Sequence, residues 1–319
     1  MNKLFKFIPL RNLYSLLNYD FRTALHEIDK LNRQVSDLEA KLNCFSYFAE
    51  YPELASNFEK ELSYLRTHPD EHLVFPYKQL KRLENIQSGY DSKRNLPYVV
   101  HNNRKLYFPK TWTEEGAAAT YKDFIENENI LGGGYKEKAP HQYETDTFCV
   151  KEGDVLLDIG CAEALFALNA IDKVKKLYLI ESDVVWIEAL KATFEPYKNK
   201  VEIINKLIAD VDTESTITLS SLLKSELSSS LFIKMDIEGY ETSVVNSSRS
   251  ILSENLEISL ACCTYHRQSD AEKLNEILTE LNFDVEFSDG YMFFVFDKLL
   301  PPYFRRGIIR GKKKYNKPV

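Results

Sequence analysis

From Asp154 onward, short apolar runs alternate with helical patterns in the order that builds a parallel sheet covered on both faces. Runs dense in Val, Ile and Leu read as strands buried on both sides. The spacing predicts strands over 155–160, 177–181, 201–208, 231–237 and 256–265, with helices such as 164–172 and 184–194 between them. Further on, 283–288 and 291–296 flank Asp289-Gly290, a turn signal for an antiparallel hairpin. The expected architecture is therefore α/β: a doubly wound, mostly parallel seven-stranded sheet with a terminal antiparallel hairpin, preceded by an N-terminal helical segment.

In open sheets of this kind, ligands sit beyond the carboxyl ends of the strands, where backbone N–H groups and helix N-termini point outward. Asp158-Ile159-Gly160-Cys161-Ala162-Glu163-Ala164 follows the first run and opens a helix. Gly160 has no Cβ, and Cys161, Ala162 and Ala164 are short, so a ligand can approach the backbone. The G-x-G-x-x-G spacing of a dinucleotide loop is absent, which disfavours a nicotinamide-dependent dehydrogenase. Asp158 suits a cationic ligand, such as one bearing an ammonium and a sulfonium, better than a pyrophosphate. Glu181 ends the next run, where a carboxylate can accept both hydroxyl protons of a ribose. Its alternative is a carboxylate at a helix N-terminus, a role equally open to Ser182 and Asp183.

Lys234-Met235-Asp236-Ile237-Glu238-Gly239-Tyr240-Glu241 follows the fourth run. Asp236 and Glu238 alternate, so an extended backbone turns both carboxylates to one side. Such a pair can hold a hydroxyl, bind a metal or accept a proton, or else cap the next helix. His266 lies at the mouth end of the fifth run, beside the strand that ends at Asp236, and can take a proton near neutral pH.

Together, Asp158 to Leu168, Glu181, Lys234 to Glu241 and Tyr265-His266 resemble the FkbM-type methyltransferases, a branch of the Rossmann-like class I S-adenosylmethionine-dependent methyltransferases. The K-M-D-I-E-G-Y-E segment is the most specific part of the match. The resemblance implies S-adenosyl-L-methionine as cofactor, surrounded by Asp158, Gly160, Cys161, Ala162, Glu163, Glu181, Ser182, Asp210 and Asp236. It further implies methylation of a hydroxyl on a sugar, glycan or other metabolite, with Asp236, Glu238 and His266 facing the acceptor. His266 or Asp236 would take the hydroxyl proton while Glu238 orients the acceptor. The same three residues could ligate a divalent ion, but no resident metal is expected. The chain departs from the family at Ala164, usually a second glycine, at Ala162, often Asn, and at Ser182, often Pro. These departures keep open a non-catalytic scaffold of the same fold that dimerises through its N-terminal helix.

Upstream, Ile28, Leu31, Val35, Leu38, Leu42 and Phe45 recur in steps of three and four, a heptad seam. Either it joins two chains over residues 28–45 as a coiled coil, or it lays an amphipathic helix on its own domain. Pro52 breaks the pattern, a second helix follows to Leu65, and the polar segment 87–95 reads as a linker. Residues 98–112 read as a hairpin around Asn102-Asn103. Gly132-Gly133-Gly134-Tyr135 and Pro140-His141-Gln142-Tyr143 are placed to fold over the cofactor as a lid, with His141 and Tyr143 as secondary site candidates. The expected divisions are 1–95 (helical segment and linker), 96–150 (hairpin and lid), 151–300 (methyltransferase domain) and 301–319 (basic tail).

Charge limits the partners. A net charge of −7 over 319 residues makes nucleic acid a poor partner and favours a small-molecule or carbohydrate acceptor. The basic tail, with Arg305, Arg306, Arg310, Lys312, Lys313, Lys314 and Lys317, reads as solvated, with peripheral contact to an anionic lipid or glycan as the alternative. Five cysteines without a C-x-x-C pair, most of them in apolar runs, suggest a reducing compartment. No stretch has the apolar length of a bilayer span, and 1–19 lacks the apolar core and cleavage site of a secretory leader. The expected location is the cytoplasm.

Overall fold

The computed structural model describes residues 10–68, 85–129, 138–226, 228–254, 257–294 and 299–313. The heptad region belongs to α1 (Leu10–Glu50), a single 41-residue helix. Short α2 (Pro52–Ala55) starts on a proline, whose missing N–H does no harm in a first helical turn, and α3 (Glu59–Thr67) follows. Cys44 and Phe48 of α1 pack with Phe58, Leu62, Leu65, Phe293 and Phe304 in one apolar cluster. The heptad seam does not make that contact. Ile28, Leu31, Val35, Leu38 and Leu42 are 51, 56, 53, 53 and 65% exposed, while the buried Lys41, Cys44 and Phe48 lie on another face. Phe45 leaves the seam and packs, partly buried, against the cluster.

The segment expected as a linker instead begins a three-stranded antiparallel sheet of β1 (Ser88–Asp91), β2 (Leu96–His101) and β3 (Arg104–Tyr107). Asp91 accounts for the difference, because its Oδ1 accepts from the backbone N–H groups of Lys93 and Arg94 and closes the turn into β2. The expected hairpin joins β2 to β3, with Asn102 and Asn103 both left-handed at φ 48 and 63. Thr113 then caps α4 (Glu114–Asp123) by accepting from Gly116 N.

The large sheet is built from β4 (Val155–Ile159), β5 (Lys176–Ile180), β6 (Val201–Ile204), β9 (Ser230–Met235), β10 (Glu257–Cys263), β11 (Asp284–Phe287) and β12 (Ile308–Lys313), in the order β11-β12-β10-β9-β4-β5-β6. The pairs among β10, β9, β4, β5 and β6 are parallel, and β12 is antiparallel to both neighbours. Successive side chains alternate between two buried faces. Leu156, Leu179, Phe232 and Ala261 pack with α5 (Leu165–Ala170) and α6 (Ile187–Phe194). Leu157, Ile180, Ile233 and Leu260 pack with α7 (Leu219–Leu223), α8 (Glu241–Ser247) and α10 (Asp270–Glu280), with short α9 (Arg249–Ser253) between the last two.

Two expectations fail here. The run 201–208 is not one strand. It breaks at Asn205, whose Nδ2 donates to the carbonyls of Glu181 and Ser182, and resumes as β7 (Leu207–Ala209), which pairs with β8 (Thr216–Thr218) apart from the large sheet. The terminal hairpin also has a different second strand. β11 pairs with β12 rather than with the residues after Asp289-Gly290, and β12 inserts between β10 and β11. Ile308–Lys313 of the supposed tail therefore form a strand of the large sheet. Ile308 and Ile309 are fully buried, and Arg305 and Arg310 are 3% and 4% exposed. Arg310 donates to Glu286 through Nε and to the carbonyl of Gln142 through Nη1, which satisfies its charge inside. Lys314 and Lys317 lie outside the described residues, as do Gly132-Gly133-Gly134-Tyr135. No described helix is long and apolar enough to cross a membrane.

Candidate functional site

At the carboxyl ends of β4, β5 and β9 lies a cavity of about 630 Å³, a size typical of sites for nucleoside-sized ligands. Its floor is the turn after β4. Gly160 N–H and Cys161 N–H donate to Ile180 O, and Asp236 N–H donates to Ile159 O, so the β4 and β9 chain ends cross tightly. A Cβ on Gly160, which has φ +70, would lie 1.8 Å from the carbonyl oxygen of Asp236. Only glycine permits that crossing. Ala162 and Ala164 are also left-handed, at φ 43 and 61.

Glu181 is buried at the end of β5, and both its oxygens accept backbone protons, Oε2 from Ala162 N (2.9 Å) and Oε1 from Asp183 N (2.8 Å). Its position is thus fixed, while each oxygen keeps a second lone pair for a ligand. Asp158 lies against Lys234, directly across the β4–β9 pair, with Nζ 3.2 Å from Oδ1 and donating to Gly160 O at 2.9 Å. Burial raises the Asp158 carboxyl, and Lys234 opposes the rise. Burial works against the Lys234 ammonium, but Asp158 and Asp236 outweigh it and hold the group charged. Asp158 therefore does not present the free negative charge expected for it: a lysine already neutralises it, and the sequence reading missed Lys234 in that role. Glu163 faces the cavity, and burial pushes it up to about 7.

Cys161, Ala162, Ser182 and Asp236 line the cavity as expected, but Asp210 does not. The break at Asn205 carries Asp210 away with β7 to an exposed position, and Lys206, Leu207 and Ile208 line the cavity instead.

The other half of the cavity brings together residues far apart in sequence. Asp236 Oδ2 accepts from the Tyr143 hydroxyl at 3.0 Å, and His141 Nε2 lies 3.0 Å from the same hydroxyl and 4.0 Å from Oδ2. Burial acts to raise Asp236, but Lys234, His266 and His141 prevail and keep it ionised. His266 Nε2 stands 3.6 Å from Asp236 Oδ1 and 3.5 Å from Glu238 Oε2, beyond direct hydrogen-bond length. The predicted trio therefore meets at one point, with Glu238 exposed and left-handed at φ 56. Behind it, His266 Nδ1 lies 2.9 Å from Oε1 of Glu241, which is fully buried and also accepts from Ile237 N. Burial favours the neutral imidazole, but the bond to Glu241 and the charge of Asp236 raise the pKa of His266 above its ordinary value. Glu241 was read only as part of a motif. Its signal was the spacing of three residues from Glu238, which sets it at the start of α8, turned back towards the core.

His141 and Tyr143 belong to this wall, but the wall is not a loose lid. Pro140 O accepts from the Ser288 hydroxyl, and Arg310 holds Gln142 O at 2.9 Å. Arg305 donates through Nη1 to the carbonyls of Tyr265 (2.8 Å) and His266 (2.7 Å), so a residue assigned to the solvated tail supports the histidine. Tyr265, Met292 and Phe294 complete the apolar side. Among the described residues, two overlapping groups, His141-Asp236-Cys263 and Asp236-Glu241-His266, come within reach of one metal ion. In the first, burial keeps the Cys263 thiol protonated; in the second, Glu241 Oε1 is committed to His266 and Ile237, while its Oε2 is buried without a hydrogen-bond partner among the described residues.

No family model and no curated protein matches the sequence. Solved structures do. The chain is similar to methyltransferase FkbM from Methylobacillus flagellatus, with 18% identity, covering 61% of this chain and 53% of that one, at a TM-score of 0.43. It is also similar to precorrin-6y C5,15-methyltransferase from Geobacter metallireducens (14% identity, 51% and 82% covered, TM-score 0.35) and to the tRNA m1G37 methyltransferase of M. jannaschii (16% identity, 72% and 57% covered, TM-score 0.38). The chain thus spans about half the length of the first of these.

Proposed function

We propose that the chain binds S-adenosyl-L-methionine over the turn after β4 and methylates a hydroxyl of a sugar, glycan or other small metabolite. The observation that carries this reading is an open hollow flanked by Asp158 and Glu181, with a glycine floor that no Cβ could occupy. Glu181 is oriented for a ribose diol, and Leu207, Ile208 and Trp186 offer apolar surface for a base. Beyond the Asp158–Lys234 pair, the carboxylates of Glu181, Asp183, Asp236 and Glu238 line the cavity against Lys206, a balance that suits a cation and repels a phosphate backbone. That imbalance is why a small acceptor is favoured over nucleic acid.

When bound, the cofactor supplies an electrophilic methyl group on a sulfonium. The residues do the rest. A hydroxyl held among Asp236, Glu238 and His266 can pass its proton to His266 Nε2, because the proton on Nδ1 is engaged by Glu241. Ionised Asp236 stabilises the imidazolium that results. Tyr143, Tyr265 and Phe294 exclude water from the apolar side. No resident metal takes part in this scheme.

Calorimetry with S-adenosylmethionine tests the first step; an absence of binding leaves only a scaffold of the same shape. Labelled methyl transfer to a panel of hydroxylated metabolites tests the second. His266→Ala is expected to lower the rate by about 100-fold or more with unchanged cofactor affinity, and Asp236→Asn to lower it as well. Full rates in both variants remove the acid-base assignment. Turnover after exhaustive chelation is expected to be unchanged.

A further inference from the structure

We propose that the exposed seam of α1 pairs in parallel with the same seam of a second copy of this chain. The inference does not rest on the methyl-transfer reading. Five large apolar side chains between Ile28 and Leu42 are each more than half exposed, on a helix that is anchored to its own domain by a different face. At 1.5 Å per residue, 41 residues run for about 60 Å, long enough to carry the seam past its anchor at Cys44 and Phe48.

The seam itself points to the occupant. Ile28, Val35 and Leu42 fall at a positions, two of the three β-branched, and Leu31 and Leu38 fall at d positions. β-Branched residues at a with leucine at d favour two parallel strands, because each side chain then fits the hole formed by its own counterpart. In that register the exposed flanking residue Gln34 meets Glu39 of the other copy, so no like charges come together there, while Lys41 is taken up by the anchored face. A helix that lay on a membrane would need a broad apolar face with basic flanks, whereas this stripe is narrow and its exposed flanks, Asn32, Gln34, Glu39 and Ser46, are neutral or acidic. Three heptads alone form a marginal helix in water. Here the intrachain packing of Cys44 and Phe48 already nucleates the helix, so pairing need not meet that cost.

Light scattering on the full chain at roughly 50 μM is expected to give twice the 37.1 kDa chain mass. The double variant Val35→Asp, Leu38→Asp, which alters only exposed positions, is expected to give the single-chain mass with unchanged circular dichroism and thermal unfolding of the α/β domain. Leu38→Cys is expected to form a covalent dimer on oxidation, because equivalent d positions face each other only in the parallel arrangement. A wild-type chain at single mass overturns the proposal, including the case where the seam serves a different protein. So does a double variant that stays dimeric, or a Leu38→Cys chain that does not cross-link.

Discussion

The two halves of the cavity are built by different means. The half at the ends of β4 and β5 comes mainly from one stretch, Asp158 to Trp186, joined by 206–208 and Lys234, and its turn is held largely by backbone N–H groups: Gly160 and Cys161 to Ile180 O, Ala162 and Asp183 to Glu181. The half around His266 is drawn from residues 141–143, 236–241, 263–266 and 292–294, and is tied together by buried charges, with Arg305 and Arg310 reaching in from beyond residue 300. A local hydrogen-bonded turn survives as long as its own sequence does. An assembly of distant charged groups depends on every member, since removing one leaves another buried without its partner. Substitutions should therefore separate the halves.

The largest effect should come from the one position that both share. Gly160→Ala places a Cβ 1.8 Å from Asp236 O at a left-handed position, so either the β4 turn or the start of the acceptor half must move. A loss of about 4 kcal/mol of stability is expected, together with loss of cofactor binding; a Tm close to wild type would show that the two chain ends do not cross as described. Next is Arg305→Met, which keeps the aliphatic stem but removes two charge-assisted bonds to the carbonyls that flank His266. It is expected to cost about 3 kcal/mol and to depress methyl transfer while cofactor affinity holds. Equal loss of affinity and rate would mean that the halves are not independent.

The same contrast decides what could be read from the sequence. The parallel sheet was legible because both its faces are apolar, and the turn Asp158 to Ala164 because small residues after a strand have few other uses. Asp236, Glu238 and His266 were legible as a trio because strand order brings β9 beside β10. The role of Lys234 was hidden, since its partner lies across a strand pair whose register the sequence does not state. β12 was hidden by the basic residues in and before it: charge counted along the chain suggests solvent, and only the fold reveals that Arg305 and Arg310 have buried carbonyl acceptors. Asp210 was misplaced because Asn205 diverts the chain through side-chain bonds that no apolar pattern records.

A smaller effect is expected from Glu241→Gln, which keeps the hydrogen bond to His266 Nδ1 but removes the charge behind it. The pKa of His266 is raised above 6.5 in the folded chain by that bond and by Asp236, against burial. A base must be neutral, so the acid limb of kcat/KM should lie above 6.5 in the wild type and move down in the variant, with a fall of about tenfold on the plateau. The linkage has the matching sign. A raised folded value stabilises fully below the unfolded 6.5 and is lost as pH rises through the folded value. The stability gap between wild type and variant should therefore be wider at about pH 6 than at about pH 9. A gap that does not change with pH would mean that Glu241 holds His266 sterically rather than by charge.

The smallest effects sharpen the comparison within each half. Ala162 sits at φ 43 with its methyl partly exposed, so Ala162→Gly relieves strain and loses little burial. A gain of about 1 kcal/mol is expected, or roughly 2 to 4 °C in Tm. Ala164, equally left-handed at φ 61, is 1% exposed in the core, and losing a buried methyl, worth about 0.8 kcal/mol, should cancel most of the same gain. Glu238→Gly at φ 56 should stabilise like Ala162→Gly yet slow methyl transfer, because the strained residue there carries the carboxylate that faces His266. If Glu238→Gly stabilised the chain and left the rate intact, the strain at that position would serve the turn alone and the acceptor would be held by Asp236 and His266 without it.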